Sequence, residues 1–417
     1  MANVLYISMT GMTEALGESQ VVQYLIDLAK KNSVSLLSFE KPTSTEKYNR
    51  MQQIMKNASI KWYFFEYSNR FGVFSSAWQI ILAFFLLLKV IKQQQIEIIH
   101  ARSLIPALIG VLLKKIFDVK LLFDIRGFAI DEKIMEGRLK PNAILTRILK
   151  KIENDVYKNS DQIVTLTHAS KPIIETVYHV DSSLITVIPT CANLALFNPI
   201  SADEKFILRE KMGYSENDII ILHNGSLNSW VDFEAEIKLF EQIAFLEKNA
   251  KFLFLNKGQH DLINDYLKKS TLDKSICRVL SAEFDQISQY LNIADVCVFF
   301  IKPSFAKKAS APTKFAELVA CHLLSITNTN YGDMDFYIKK YHVGCVLELD
   351  EVHANPKNAA IACLTYLSNH NNNLNNSENF TRLFSEHFSK EIAIQRYQHI
   401  YNLLSKGNHE NIVTSQI

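Results

Sequence analysis

Lys307–Leu318 reads KKASAPTKFAEL, with a Lys and a Glu three apart behind a Ser, a Pro and a Thr, and an apolar run, DVCVFFI, ends shortly before it. Ser310 is a good N-cap and Pro312 suits a first helical turn. The free amides of Thr313 and Lys314, with the helix dipole, then face an anion. Lys314 and Glu317 sit together on the helix flank, and Phe315, Leu318, Val319 and His322 form its buried stripe. Two readings stand at this point. One is a well-capped helix with an exposed Lys–Glu pair. The other is a pocket in which the Lys meets phosphate and the Glu accepts hydrogen bonds from both hydroxyls of a vicinal diol.

Five more segments carry polar or glycine residues at the ends of apolar runs. TGMTEALGESQV follows the first run. Gly11 and Gly17 let a backbone approach a sugar or phosphate closely, and Ser19 can cap the next helix; an ordinary strand-to-helix turn uses the same residues. The spacing is not GxGxxG, so the dinucleotide fingerprint is absent. IIHARS puts His100 and Arg102 two apart on one face, and FDIRGFAIDE does the same with Asp124 and Arg126 beside Gly127. Two Arg-bearing tips facing one crevice suit an anion; the alternatives are a structural His and an Asp124–Arg126 pair. HNGSLNSW and LNKGQ offer Ser226 and Lys257 to phosphate oxygens, Lys257 as a point charge, although a Lys beside a Gly is also commonplace in turns.

The elements that must position these residues alternate. Strand candidates NVLYISM, SVSLLSF, IKWYFFEY, IEIIHAR, KLLFDIR and QIVTLT are separated by helical stretches such as SQVVQYLIDLAKK and NAILTRILKKIENDVYKN. The alternation predicts a parallel sheet covered on both faces. It breaks at LITVIPTCANLALFNPISADE, where two prolines and a polar end mark a connection. It then restarts with DIIILHNGS, KFLFLNKG, ICRVLSAE, DVCVFFIK, LLSITN and VGCVLEL. We therefore expect an α/β chain of two doubly wound, Rossmann-like domains, 1–187 and 205–385, joined by a linker at 188–204. A helix at 386–405 and a flexible tail at 406–417 follow, and the Asn-rich NHNNNLNNSEN reads as a solvated loop. In such sheets ligands sit at the carboxyl ends of the strands, so both domains present those ends to one cleft.

Composition narrows the function. The balance of 45 basic against 43 acidic residues leaves +2, which implies no nucleic-acid field. Six cysteines without a CxxC pair, several inside apolar runs, argue for a reducing compartment and against a disulfide framework or zinc site. The chain opens on a strand with no basic n-region, so a secretory signal is not expected. The longest apolar segment, Ala77–Ile91, is shorter than the roughly 20 residues of a membrane span. It reads as a buried helix or as one dipping into a membrane surface, with Lys89, Lys92, Lys114 and Lys115 nearby.

In this order, GMTEALGESQVVQYL, IIHARS, FDIRGFAIDEKIMEG, IVTLT, VIPTCANLALFNP, GSLNSW, SAPTKFAELVACHLLSITN and FSKEIAIQRYQHIYNLL resemble the retaining glycosyltransferases of family 4 with the GT-B fold. Such enzymes are found in bacterial capsule, exopolysaccharide and O-antigen clusters. The resemblance covers nearly the whole chain. It implies that the loop around Gly17 serves the acceptor side and the donor phosphates, and that Arg126 faces the cleft. It further implies that Ser226 follows the first strand of the donor domain, that amides at Thr313 and Lys314 hold a diphosphate, and that Glu317 holds a ribose. The last helix would cross back onto the first domain. Three positions depart from the family pattern. Ala309 stands where the first Glu of Glu-x7-Glu would be, and GSLNSWVDFE lacks a basic residue, leaving Lys257 and Lys314 as counter-charges. Arg102 occupies a position where many members carry a cleft His, with His100 two residues earlier.

The resemblance thus implies hexosyl transfer, with retention, from a UDP- or GDP-sugar to a glycan or polyprenyl diphosphate-linked acceptor. Arg126, Lys314 and Glu317 take the central roles. Gly17, His100, Arg102, Ser226, Lys257, Ser310 and Thr313 serve binding. A helix N-terminus with Lys and Arg stabilises the departing diphosphate, and no metal or other cofactor is expected. The expected location is cytoplasmic, at the inner face of the membrane through peripheral contact. A nucleotide-sugar 2-epimerase of the same fold, or a catalytically impaired partner subunit, is the alternative.

Overall fold

The computed structural model describes residues 1–67, 73–371 and 376–405; the centre of the Asn-rich tract and the tail lie outside the described residues. The described residues build two parallel sheets. The first holds β1 (Asn3–Ser8), β2 (Ser33–Glu40), β3 (Lys61–Glu66), β4 (Ile98–Arg102), β5 (Lys120–Asp124), β6 (Gln162–Thr165) and β7 (Ile185–Val187), in the order β3-β2-β1-β4-β5-β6-β7. The second holds β8 (Ile219–Asn224), β9 (Ala250–Leu255), β10 (Cys277–Leu280), β11 (Val296–Val298), β12 (Leu324–Asn328) and β13 (Gly344–Leu347), in the order β10-β9-β8-β11-β12-β13. The strands expected from the sequence appear in both sheets. β7 is additional, because three residues at a sheet edge give too short an apolar run to separate from the connection that follows.

The central strands are apolar on both faces, as helix-covered parallel strands must be. Val4, Leu5, Ile7, Ile98, Ile99, Ile220, Ile221 and Leu222 are all buried. The helices on the first sheet include α1 (Gln23–Ala29), α2 (Val73–Gln94), α3 (Leu104–Lys114) and, after the short α4 (Ala129–Met135), α5 (Ile144–Asn159). α2, expected as a buried helix or as one dipping into a membrane surface, is buried along one face alone. Ala83, Leu87, Val90 and Ile91 pack into the core, whereas Trp78, Ile81, Leu82 and Phe85 stay exposed. The second sheet is covered in part by α6 (Phe233–Leu246) and α7 (Thr313–Ala320). The last helix, α8 (Lys390–Ser405), returns to the first domain and buries Ala393, Tyr397, Ile400, Tyr401 and Leu404 in its core.

In each sheet the strand order reverses once, between β1 and β4 in the first and between β8 and β11 in the second. Crevices open beyond the carboxyl ends of strands where neighbouring connections leave in opposite directions. The loops after β1, β4, β8 and β11 are therefore the ones that topology assigns to a ligand.

Candidate active site

The loop after β1 is held from below by Glu40 at the end of β2. Its buried carboxylate accepts from the Met12 and Thr13 amides at 2.8 and 3.1 Å, from the Thr13 hydroxyl at 2.9 Å, and from Ser38. Gly17 ends the short helical turn Ala15–Gly17 against the Gly11 carbonyl, and a Cβ there would run into that oxygen. Only glycine lets the two backbones meet. The chain then forms a π-helical turn, Glu18–Val22, before α1. Ser19 does not cap it as expected; its hydroxyl donates to Ala15 O inside the helical run.

At the tips of β4 and β5 the four expected polar residues do come together, but under cover. His100 is buried; its Nδ1 meets the Tyr401 hydroxyl of α8 at 2.7 Å, and its ring lies 4.3 Å from that of Tyr6. Burial holds its pKa below the usual value against the pull of Asp124, which favours the neutral ring. The cleft role for His100 gives way to an anchor for α8, because the crossing helix covers this strand end. Burial alone would raise the pKa of Asp124, yet the Arg126 guanidinium at 3.4 Å and the neighbouring His100 hold it down to about 2. Arg102 is buried, and its Nε has no hydrogen-bond partner. Two guanidiniums against one carboxylate leave an excess positive charge at this end of the first sheet.

In the second domain the helix opening differs from the sequence reading. Ala306–Ala309 forms a 3-10 turn, Pro312 is the N-cap with ψ 124°, and α7 starts at Thr313. Ser310 therefore does not cap α7; it closes the preceding 3-10 turn. A residue before proline is kept out of the helical region, so Ala311 cannot join the helix and the start moves downstream. His322 also leaves the buried stripe; it lies beyond the helix at a φ of 56° and stacks on Phe380.

Lys314 projects from the first turn of α7, half-buried, with its Nζ 5.0 Å from the centre of the Phe299 ring and 3.2 Å from where a Cβ of Gly225 would stand. No carboxylate pairs with it among the described residues. Glu317, one turn further, is buried rather than exposed, and burial pushes its carboxyl up to about 7 against the pull of Lys314. Ser226 follows Gly225 at the tip of β8 and is exposed. Lys257 is exposed beyond β9 and pairs with Glu283 at 2.8 Å. The structure thus gathers Gly225, Ser226, Thr313, Lys314 and Glu317 on the second domain, and Arg102 and Arg126 on the first. Sequence reasoning missed Lys307, Glu132 and Trp230. Lys307 is buried between the domains, 3.1 Å from Glu132 of α4 and 4.1 Å over the Trp230 ring. Its neighbour Ala309 packs into the core of the first domain. Among the described residues no group of three or more His, Cys, Asp or Glu gathers as a metal cage.

Two tandem Rossmann-like domains with a helix crossing back define the GT-B class of fold. Residues 20–196 match the family model described as Glycosyltransferase Family 4. Among solved structures, a glycosyltransferase from Rickettsia africae is similar at 18% identity and a TM-score of 0.69, over 97% of this chain and 99% of that one. HepE of Anabaena, in complex with UDP, is similar at 13% identity and a TM-score of 0.67, over 97% and 100%. The sucrose-phosphate synthase of Thermosynechococcus elongatus is similar at 14% identity and a TM-score of 0.67, over 97% and 99%. No curated protein matches the chain. The chain therefore has the GT-B fold, and its residues 20–196 are similar to the family 4 glycosyltransferase model.

Proposed function

We propose that this protein is a retaining glycosyltransferase. It moves a hexosyl unit from a UDP- or GDP-sugar to a glycan or polyprenyl diphosphate-linked acceptor in bacterial surface polysaccharide synthesis. The observation that carries the reading is Lys314: a half-buried cation without a carboxylate partner among the described residues, at the amino end of α7, beside Gly225 at a topological switch point. A diphosphate supplies the missing negative charge, and the α7 amides and dipole add to it. Glu317 then meets the ribose hydroxyls. As the glycosidic bond loosens, charge grows on the leaving diphosphate, and Lys314 with Arg126 stabilises it where it appears. The departing phosphate takes the acceptor proton on the same face, so no second carboxylate and no metal is needed in this scheme. That HepE of Anabaena binds UDP supports a uridine donor among the choices.

The acceptor side falls to the Gly11–Gly17 loop. Trp78, Ile81, Leu82 and Phe85, exposed along α2, support peripheral contact with the cytoplasmic membrane face. Among the described residues no helix is long and apolar enough to cross a membrane.

The test is nucleotide release on incubation with a panel of UDP- and GDP-sugars and lipid-linked acceptors. Product anomeric configuration is read by NMR. Lys314→Ala is expected to cut release by roughly a hundredfold, as losing one preorganised charge at a leaving group does. Release that persists in Lys314→Ala and Glu317→Ala excludes this site.

A further inference from the structure

We infer that the buried pair His223–Glu236 is a positioning device for the phosphate site, turning the Ser226 amide outward toward the donor diphosphate. The inference rests on the donor-site reading above. His223 is the penultimate residue of β8 and Glu236 lies on α6; neither exposes any surface. Nδ1 of His223 meets Glu236 Oε2 at 2.6 Å, and Nε2 meets the Gly225 carbonyl at 3.2 Å. A carbonyl only accepts, so Nε2 carries a proton and donates it there. The Asn256 amide donates to the same oxygen at 2.8 Å. The other Glu236 oxygen accepts from the Phe300 amide at 3.2 Å, tying the device to the end of β11.

Two donors therefore pin the Gly225 carbonyl into the protein. The peptide bond is trans, so the N–H of Ser226 must point the opposite way. That N–H has no acceptor among the described residues, and Ser226 is exposed. Gly225 holds a φ of 125°, a backbone shape that side-chain-bearing residues rarely adopt, and Lys314 Nζ closes its remaining side. A free amide and an unpaired ammonium thus flank one glycine. Neither His223 nor Glu236 touches the ligand; both act through Gly225. The contribution of the pair is therefore orientation.

The experiment titrates the full-length protein with UDP, GDP, uridine and guanosine by calorimetry, beside thermal unfolding. His223→Phe with Glu236→Leu replaces the pair by apolar groups of similar size, which avoids leaving a buried charge unpaired. It is expected to weaken diphosphate binding about tenfold, the worth of one hydrogen bond to a charged group, while the nucleoside is bound as before. Glu236→Gln is expected to behave as wild type. Its amide donates to Nδ1, its oxygen still accepts from Phe300, and Nε2–H stays on Gly225. Should the double variant fail to fold, Asn256→Ala carries the same expectation; it removes a donor to Gly225 and adds no charge beside the diphosphate. Unchanged diphosphate affinity in the folded variant overturns the inference, as does an equal loss of nucleoside binding. A wild type that binds none of the four ligands overturns the donor site itself, a result read before any variant is made.

Discussion

Glu317 is a carboxyl whose pKa burial raises from 4.5 to about 7, and that makes it the most pH-sensitive residue at the proposed donor site. To accept from two hydroxyls it must be ionised. Nucleotide affinity should therefore rise as pH climbs through about 7 and fall below it. Stability runs the other way. Between 4.5 and about 7 the folded chain holds a proton that the unfolded chain has lost. The contribution is present in full below 4.5 and is lost as pH rises through about 7, by roughly 3 kcal/mol. Glu317→Gln should flatten both profiles, with weaker binding at pH 8 and a higher melting temperature there. A wild-type affinity that does not change between pH 6 and 8 counts against the assignment. The sequence placed this residue one turn from Lys314 but gave it an exposed flank. Helical spacing reports which residues share a face, whereas what covers that face is decided by the second sheet and the loops around it. The Ser310 cap failed for a more local reason, since the proline that suits a first turn also bars the residue before it from the helix.

Among the elements, the loop between β1 and α1 depends on a residue that the sequence did not flag. Glu40 is the last residue of β2, and its two oxygens take four donors from Ser38, Met12 and Thr13. The carboxylate thereby fixes the Gly11–Gly17 backbone that faces the cleft. Glu40→Gln turns one acceptor oxygen into a donor facing other donors. The expected cost is about 1–3 kcal/mol, seen as a drop in melting temperature and faster hydrogen exchange at Met12 and Thr13. Equal exchange rates in the two proteins would remove Glu40 from this role. Alternation of apolar runs made both sheets legible, because burial on two faces requires continuous apolar strands. A charged residue ending such a strand carries no signal of its partners 27 and 28 positions away. The same limit hid the fate of His100. Its strand was evident, but the covering by Tyr397 and Tyr401 comes from a helix some 300 residues later.

Across the whole molecule the two domains touch along the segment that precedes α7. Phe305 stacks on Phe128 with ring centres 5.3 Å apart, and the Thr167 hydroxyl donates to Lys308 O at 2.6 Å. Thr190 donates to Ala311 O at 2.7 Å. Asp333 accepts from the His168 and Ala169 amides at 2.6 and 2.8 Å. Lys307 reaches Glu132 at 3.1 Å while lying over Trp230. The segment leading into the proposed phosphate site is thus shaped by the first domain, so closure of the domains and the form of that site are coupled. Glu132 is one-third exposed, which screens its pairing with the buried Lys307. Removing its charge is expected to shift the closed-to-open balance by about 1 kcal/mol, or roughly fivefold. Glu132→Gln should therefore enlarge the radius of gyration in small-angle scattering. It should also change the Trp230 emission as the ammonium leaves the ring. Lys307→Met offers a contrast, since it keeps the apolar stem against Trp230 and leaves only the more exposed partner unpaired. That variant should stay compact. If both variants expand alike, packing and not charge holds the domains together, and if neither does, the Phe305–Phe128 and Asp333 contacts suffice without the ion pair.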